Sequence, residues 1–167
     1  MAILKVVEYP NKILKTATEQ VGEVTPEIRQ LVKDMIETMY ADHGMGLAAN
    51  QVGVNKRLFV MDDSPDGKNP KCFINPEIIE KTGEVELEEG CLSFPGVYLK
   101  LTRAKTIKIR AMNEQGEIFE MSAEGYSARC CQHELDHLNG ITFFDHLSAL
   151  KRQMAEKRLQ KSRRLAM

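Results

Sequence analysis

The chain has 167 residues, 43% hydrophobic and 28% charged, with a formal net charge of −1; this is the composition of one globular domain that buries a core, and it excludes a disordered or fibrous chain. No apolar run reaches bilayer length, and the opening MAILKVVEYP lacks the basic, apolar and small-residue pattern of a secretory leader, so a cytoplasmic protein without a membrane partner is expected. The near-zero charge is divided: residues 148–167 carry seven Lys or Arg against Glu156 alone, a net of +6 that leaves −7 on the preceding 147.

In chain order, a short helix is expected near residues 11–17. A stronger one lies in TPEIRQLVKDMIETMYA, where Thr25 can cap and Pro26 suits the first turn. Ile28, Leu31, Val32, Met35, Met39 and Tyr40 form its apolar stripe. It should end before HGMGLAANQVG, read as a glycine-containing loop. Short strands follow in RLFVM (57–61), KCFIN, EIIEK (77–81), GEVELEE (83–89), GVYLKL (96–101), KTIKIRA (105–111) and EIFEM (117–121), with NEQG (113–116) as a hairpin turn. Strands joined without intervening helices imply antiparallel sheet.

A helix is then expected over 123–139, with Ser122 as cap and Gly140 as stop. A last helix begins near Ser148, its first turns docked by Leu147, Leu150 and Met154 and the rest basic nearly all round. The fold class is α+β: antiparallel β-sheets packed around a central motif helix, with an N-terminal and a C-terminal helix. Residues 1–147 are expected to form the main body of the domain and 148–167 a basic helical extension of it.

The chemistry concentrates in CCQHELDHLNG. His133 and His137 stand one helical turn apart, so two neutral imidazoles can reach one ion without backbone strain. Glu134 lies about 100° around the helix from His133. It flanks such an ion without ligating it, where a general base for metal-activated water belongs. His146 follows His137 by nine residues and across Gly140, a spacing that suits no helical face. Upstream, EEGCLSFPG places Cys91 between a glycine and a Ser-Phe-Pro turn. Read alone, Cys91 is an ordinary buried cysteine; beside HELDH it becomes the third-ligand candidate, since a thiolate is a strong anionic donor. The four cysteines are expected to be reduced, because Cys130 and Cys131 are adjacent and no leader is visible. In GMGLAANQVG, Gly44 and Gly46 allow close ligand approach, and the Gln51 amide could stabilise an oxyanion.

Taken together in this order, GMGLAANQ, EGCLS and HELDH closely resemble the peptide deformylase family, and the resemblance runs over nearly the whole chain. It implies a hydrolase that removes the N-formyl group from the initiator methionine of newly made polypeptides. It implies one divalent ion held by Cys91, His133 and His137, with ferrous iron native and zinc, nickel or cobalt able to replace it. Glu134 would shuttle the proton, and the Gln51 amide and the Leu92 N–H would hold the oxyanion. The peptide would pair with backbone around Met45, Gly46 and Gly90, with Tyr126 and Cys130 lining the methionine pocket. Arg129, four residues before His133, is out of place on that face, and is expected at the rim with its stem packed. Glu89 and Arg103 are expected to pair and brace the Cys91 loop. The resemblance also implies formyl-methionine nascent peptides as partners, the ribosome as a candidate partner for the basic helix, and a monomer. The rival readings are a general metallopeptidase and a non-catalytic metal-binding module; the second has no use for Glu134.

Overall fold

Thr25 begins the first long helix as its chemistry predicts: its hydroxyl accepts from the Ile28 N–H, and Pro26 occupies the first turn. The structure, a computed structural model, describes residues 2–166, so Met1 and Met167 of the two expected segments lie outside it. Helix α1 (Pro26–Ala41) turns Ile28, Val32, Met35 and Met39 inward. Tyr40 leaves the expected stripe; it is exposed, and its hydroxyl donates to Asp62. The expected helix near 11–17 is a single 3-10 turn, Lys12–Lys15, capped by the Asn11 side chain.

The segment read as a loop contains a short strand, β1 (Gly46–Ala48), and a 3-10 turn, Ala49–Val52. Pairing with β2 (Leu58–Met61) makes β1 extended, in the register Gly46 to Met61. KCFIN and EIIEK, expected as two strands, form one: β3 (Lys71–Thr82). The break anticipated at Asn75-Pro76 is absorbed as a register shift between Ile74 and Glu77, which accommodates a proline that cannot donate to the ladder. Asn75 adopts a left-handed conformation (φ 50°) and exchanges two side-chain hydrogen bonds with the Val21 backbone.

There follow β4 (Val85–Gly90), β5 (Tyr98–Arg103), β6 (Thr106–Met112) and β7 (Ile118–Glu124). All pairings are antiparallel; the five-stranded sheet runs β1-β2-β3-β6-β7, and β4-β5 form a second, two-stranded sheet. The motif helix α2 (Tyr126–Leu138) starts three residues later than expected. Ser122 is not its cap, because β7 stays paired with β6 as far as Glu124. Gly125, at φ 61°, then makes the turn into the helix.

Period-2 alternation sorts the core. Leu58, Val60, Cys72 and Ile74 face α1, while Phe59, Met61, Phe73, Ile107 and Ile109 face α2. The sheet is thus covered on both faces, and α2 is held between it and the β4-β5 hairpin. A third cluster gathers Phe94, Val97, Leu101, Phe143 and Phe144 under the C-terminal helix α3 (Ala149–Ala166). That helix docks through Ala155 and Leu159, whereas Leu150 and Met154 are exposed; only Leu147, just before it, packs as expected. The reason is rotational. Small Ala155 lets the helix approach the phenylalanines, and Arg152 and Tyr9 hold the adjoining Glu156. Among the described residues no helix is long and apolar enough to cross a membrane.

Candidate active site

Two elements aim the three ligand candidates at one point. His133 and His137 project from adjacent turns of α2, with their Nε2 atoms 3.1 Å apart. Cys91 arrives from the end of β4, and its Sγ lies 3.3 Å from His137 Nε2. All three ligand atoms fall within 4.8 Å of one another. Bonds of about 2.0–2.3 Å arranged tetrahedrally separate neighbouring ligand atoms by roughly 3.3–3.6 Å, so the donor set fits a divalent ion. His146, set aside on spacing, is elsewhere: it pairs with Asp136 at 2.8 Å.

Further groups fix the orientation. His133 Nδ1–H donates to Glu89 at 2.8 Å, which leaves Nε2 to carry the lone pair. Glu89, fully buried, also receives Arg103 through Nε at 2.7 Å and Nη2 at 2.9 Å. The expected pair therefore exists as a buried, bidentate one. Burial alone would raise the Glu89 carboxyl, but hydrogen bonds from Arg103 and His133 outweigh it and hold it down at about 2. Burial likewise lowers His133, but the hydrogen bonds to Cys91 and Glu89 carry it up to about 10. A metal bound at Nε2 would take the place of that proton. His137 is pushed well down by burial and then by the positive His133 and Arg103.

Glu134 is buried beside the triad, and its Oε1 has no hydrogen-bond partner among the described residues. Burial raises its carboxyl to about 7, against the charges of His133 and Arg129. On its other side, a Cβ at Gly46 would stand 2.6 Å from Glu134 Oε2 and 2.8 Å from Cys130 Sγ, so only glycine lets β1 lie this close to α2. Gln51 is anchored with Oε1 accepting from the Ala48 N–H at 2.9 Å. Its Nε2 faces Ser93 Oγ at 3.1 Å and Cys91 Sγ at 3.5 Å.

These groups form the floor of a cleft of about 420 Å³, with Met45, Gly46, Gly90, Leu92, Tyr98, Arg129 and Cys130 among its walls. Tyr126 is a correction: it is exposed in the first turn of α2 and outside the wall, because its ring turns under the Arg129 guanidinium, 5.4 Å from Cζ to centroid. Arg129 sits at the rim as expected. Supporting residues that sequence reading missed are Ser93, Tyr98, Asp136 and Asn50, whose amide donates to the His137 carbonyl. Their partners are distant in sequence, and no local pattern marks them.

An HExxH helix completed by a cysteine, with a buried carboxylate at the floor of an open cleft, defines a metal-dependent hydrolase. The comparisons narrow the class. The model of the polypeptide deformylase family matches residues 3–153. The peptide deformylase of Neisseria gonorrhoeae is 50% identical over 161 residues, covering 96% of each chain. That of Pseudoalteromonas translucida is 47% identical over 166 residues, 99% of each. The crystal structure of a peptide deformylase from Legionella pneumophila superposes with a TM-score of 0.95 at 44% identity, covering 99% of this chain and 98% of that one. One from Ehrlichia chaffeensis, in complex with actinonin, gives 0.92 at 42% identity, covering 96% and 98%. The chain belongs to the polypeptide deformylase family, metalloenzymes that hydrolyse the N-formyl group from nascent polypeptides.

Proposed function

We propose that Cys91, His133 and His137 hold one divalent ion per chain, natively Fe²⁺ and replaceably Zn²⁺, Ni²⁺ or Co²⁺, and that Glu134, Gln51 and Leu92 perform the proton transfer and charge stabilisation. The observation that carries this is the convergence of the three ligand atoms beside the buried Glu134 carboxylate. The bound ion supplies Lewis-acid activation of water and of the formyl carbonyl. Glu134 accepts a proton as water adds to the formyl carbon. It delivers that proton to the methionine nitrogen as the C–N bond breaks, releasing formate and a free amino terminus. The Gln51 Nε2–H and the Leu92 N–H hold the negative oxygen in between. Gln51 suits this role because its Oε1 is tied to Ala48, which turns the amide hydrogens toward Cys91.

The peptide lies extended along Met45, Gly46 and Gly90, as a strand added to the free edge of β1, with the methionine side chain against Cys130. A formyl carbon bears only hydrogen, so crowding at Gly46 and Glu134 disfavours an acetyl group. Glu134→Gln should keep one metal per chain and remove most turnover; a retained rate would sink the assignment. Anaerobically purified protein should release formate from a formyl-methionine tripeptide and leave the acetyl analogue intact. Actinonin, bound by the Ehrlichia chaffeensis relative, should compete with that peptide.

Residues 1–147 carry the chemistry, and the basic extension 148–167 belongs to the same domain, docked through Ala155 and Leu159. The enzyme acts as a cytoplasmic monomer. The exposed Lys157, Arg158, Lys161 and Arg164 of α3 suit a salt-dependent contact with ribosomal RNA. Deleting the helix from Ala155 would strip the phenylalanine cluster, so the test is to replace those four cations by glutamine. Ribosome binding should fall while tripeptide turnover persists; unchanged binding would refute the contact.

A further inference from the structure

We propose that Arg129 is a specificity determinant of the cleft, a fixed cation that favours an acidic side chain on the third residue of the formylated peptide. This rests on the extended-peptide reading given above. Arg129 lies one helical turn before His133 and on the cleft wall. Its head is held by neutral partners: Nη1 donates to the Glu88 carbonyl at 3.2 Å, Nη2 to Met45 Sδ at 3.7 Å, and Tyr126 lies beneath its plane. Those are its only protein acceptors among the described residues, and its buried Nε–H donates to none. Arg103, Arg110 and Arg152, by contrast, all pair with carboxylates. Asp42 shares the cleft wall without being an Arg129 partner. Buried donors are almost always satisfied, and a guanidinium keeps its charge throughout the physiological range. A cation with unused donors, already immobilised and facing a binding cleft, loses little order on meeting a carboxylate.

Register selects the peptide position. The close approach of Gly46 to Glu134 and Cys130 sets the reacting end beside Gly46. A peptide leaving that point along the outer edge of β1 passes Met45 and, on its other side, Glu88 two residues beyond Gly90. Arg129 touches both of these residues. Alternate side chains of an extended strand share a face and repeat at about 6.6–6.8 Å. The third residue therefore shares the α2-facing side with the methionine and is the next to reach Arg129.

The test compares kcat/KM of the metal-loaded full chain for formyl-Met-Ala-Glu, formyl-Met-Ala-Ala and formyl-Met-Ala-Lys, each amidated at its C-terminus. At low ionic strength the glutamate peptide should exceed the lysine peptide by roughly 3- to 10-fold, the range of a rim ion pair set against a repulsion. High salt should shrink the ratio. Arg129→Gln should bring it to about unity, Arg129→Glu should invert it, and Arg129→Lys should keep part of it. The ratio is internal to each preparation, so partial misfolding of a variant does not change it. A wild-type ratio of unity, or a ratio unmoved by Arg129→Gln and Arg129→Glu, overturns the proposal. An equal or larger preference when glutamate and lysine are moved to the second residue overturns the third-residue assignment. Absence of formate from all three peptides would instead strike the deformylation chemistry itself.

Discussion

The motif helix α2 buries eight of its 13 residues, including Gln132, His133, Glu134 and His137, whereas α3, with 18 residues, buries only Ala155 and Leu159 among its described side chains. Both helices are polar in sequence. In α2 four polar side chains face inward: His133 is matched by Glu89 and Gln132 by the Ala104 backbone through both ends of its amide, while Glu134 Oε1 and His137 Nδ1 have no partner among the described residues. In α3 the polar groups face solvent, and attachment comes from two apolar side chains and peripheral pairs such as Arg152 with Asp145. Burial of polar groups therefore marks where chemistry is built, and it makes α2 the region where small changes do most damage.

The contrast should be sharpest in turnover. Glu134→Gln is expected to lower kcat by about 10²–10⁴-fold, the contribution of a positioned acid-base group, with metal content by elemental analysis unchanged. Next comes the pair that braces His133. Arg103→Leu strands the buried Glu89 and should cost about 3–5 kcal/mol, read by urea unfolding, while also weakening metal retention. On α3 the scale drops: Leu159→Ala should cost about 2–3 kcal/mol through the cavity it leaves. Exposed Leu150→Ala should stay within about 0.5 kcal/mol. Equal losses for these two substitutions would show that α3 docks by another face.

Acid should separate the regions too. The folded-state Glu89 carboxyl titrates at about 2 against an ordinary value near 4.5. A depressed carboxyl lends stability that is complete above the ordinary value and fades as the pH falls toward the folded one. Melting temperature should therefore fall between about pH 4.5 and 2, more steeply in the parent than in Glu89→Gln. Parallel curves would remove Glu89 from the account.

What could be read from sequence was what local geometry decides. His133, Glu134 and His137 share one helix, so their spacing alone predicts convergence. Thr25 with Pro26 and the NEQG turn act on their own neighbours, and each appears where expected. What escaped depends on partners remote in the chain. Ser122 looks like a cap until β6 claims it as a strand residue, and β1 is a loop until β2 pairs with it. Tyr126 lies seven residues before His133, close to two helical turns, yet in the first turn of α2 it is exposed and stacked beneath Arg129. The docking face of α3 follows from the shape of a phenylalanine cluster drawn from two other segments.

The five-stranded sheet stops at β1, and a sheet edge with free backbone groups can recruit any extended chain, including another copy of the same protein. Here that edge is three residues long. A segment this short offers little ladder to a second copy, and on the extended-peptide reading proposed above it is long enough for the first residues of the substrate. The two edges of the sheet thus differ: β1 offers a ladder of three residues, whereas β7 at the opposite edge runs for seven.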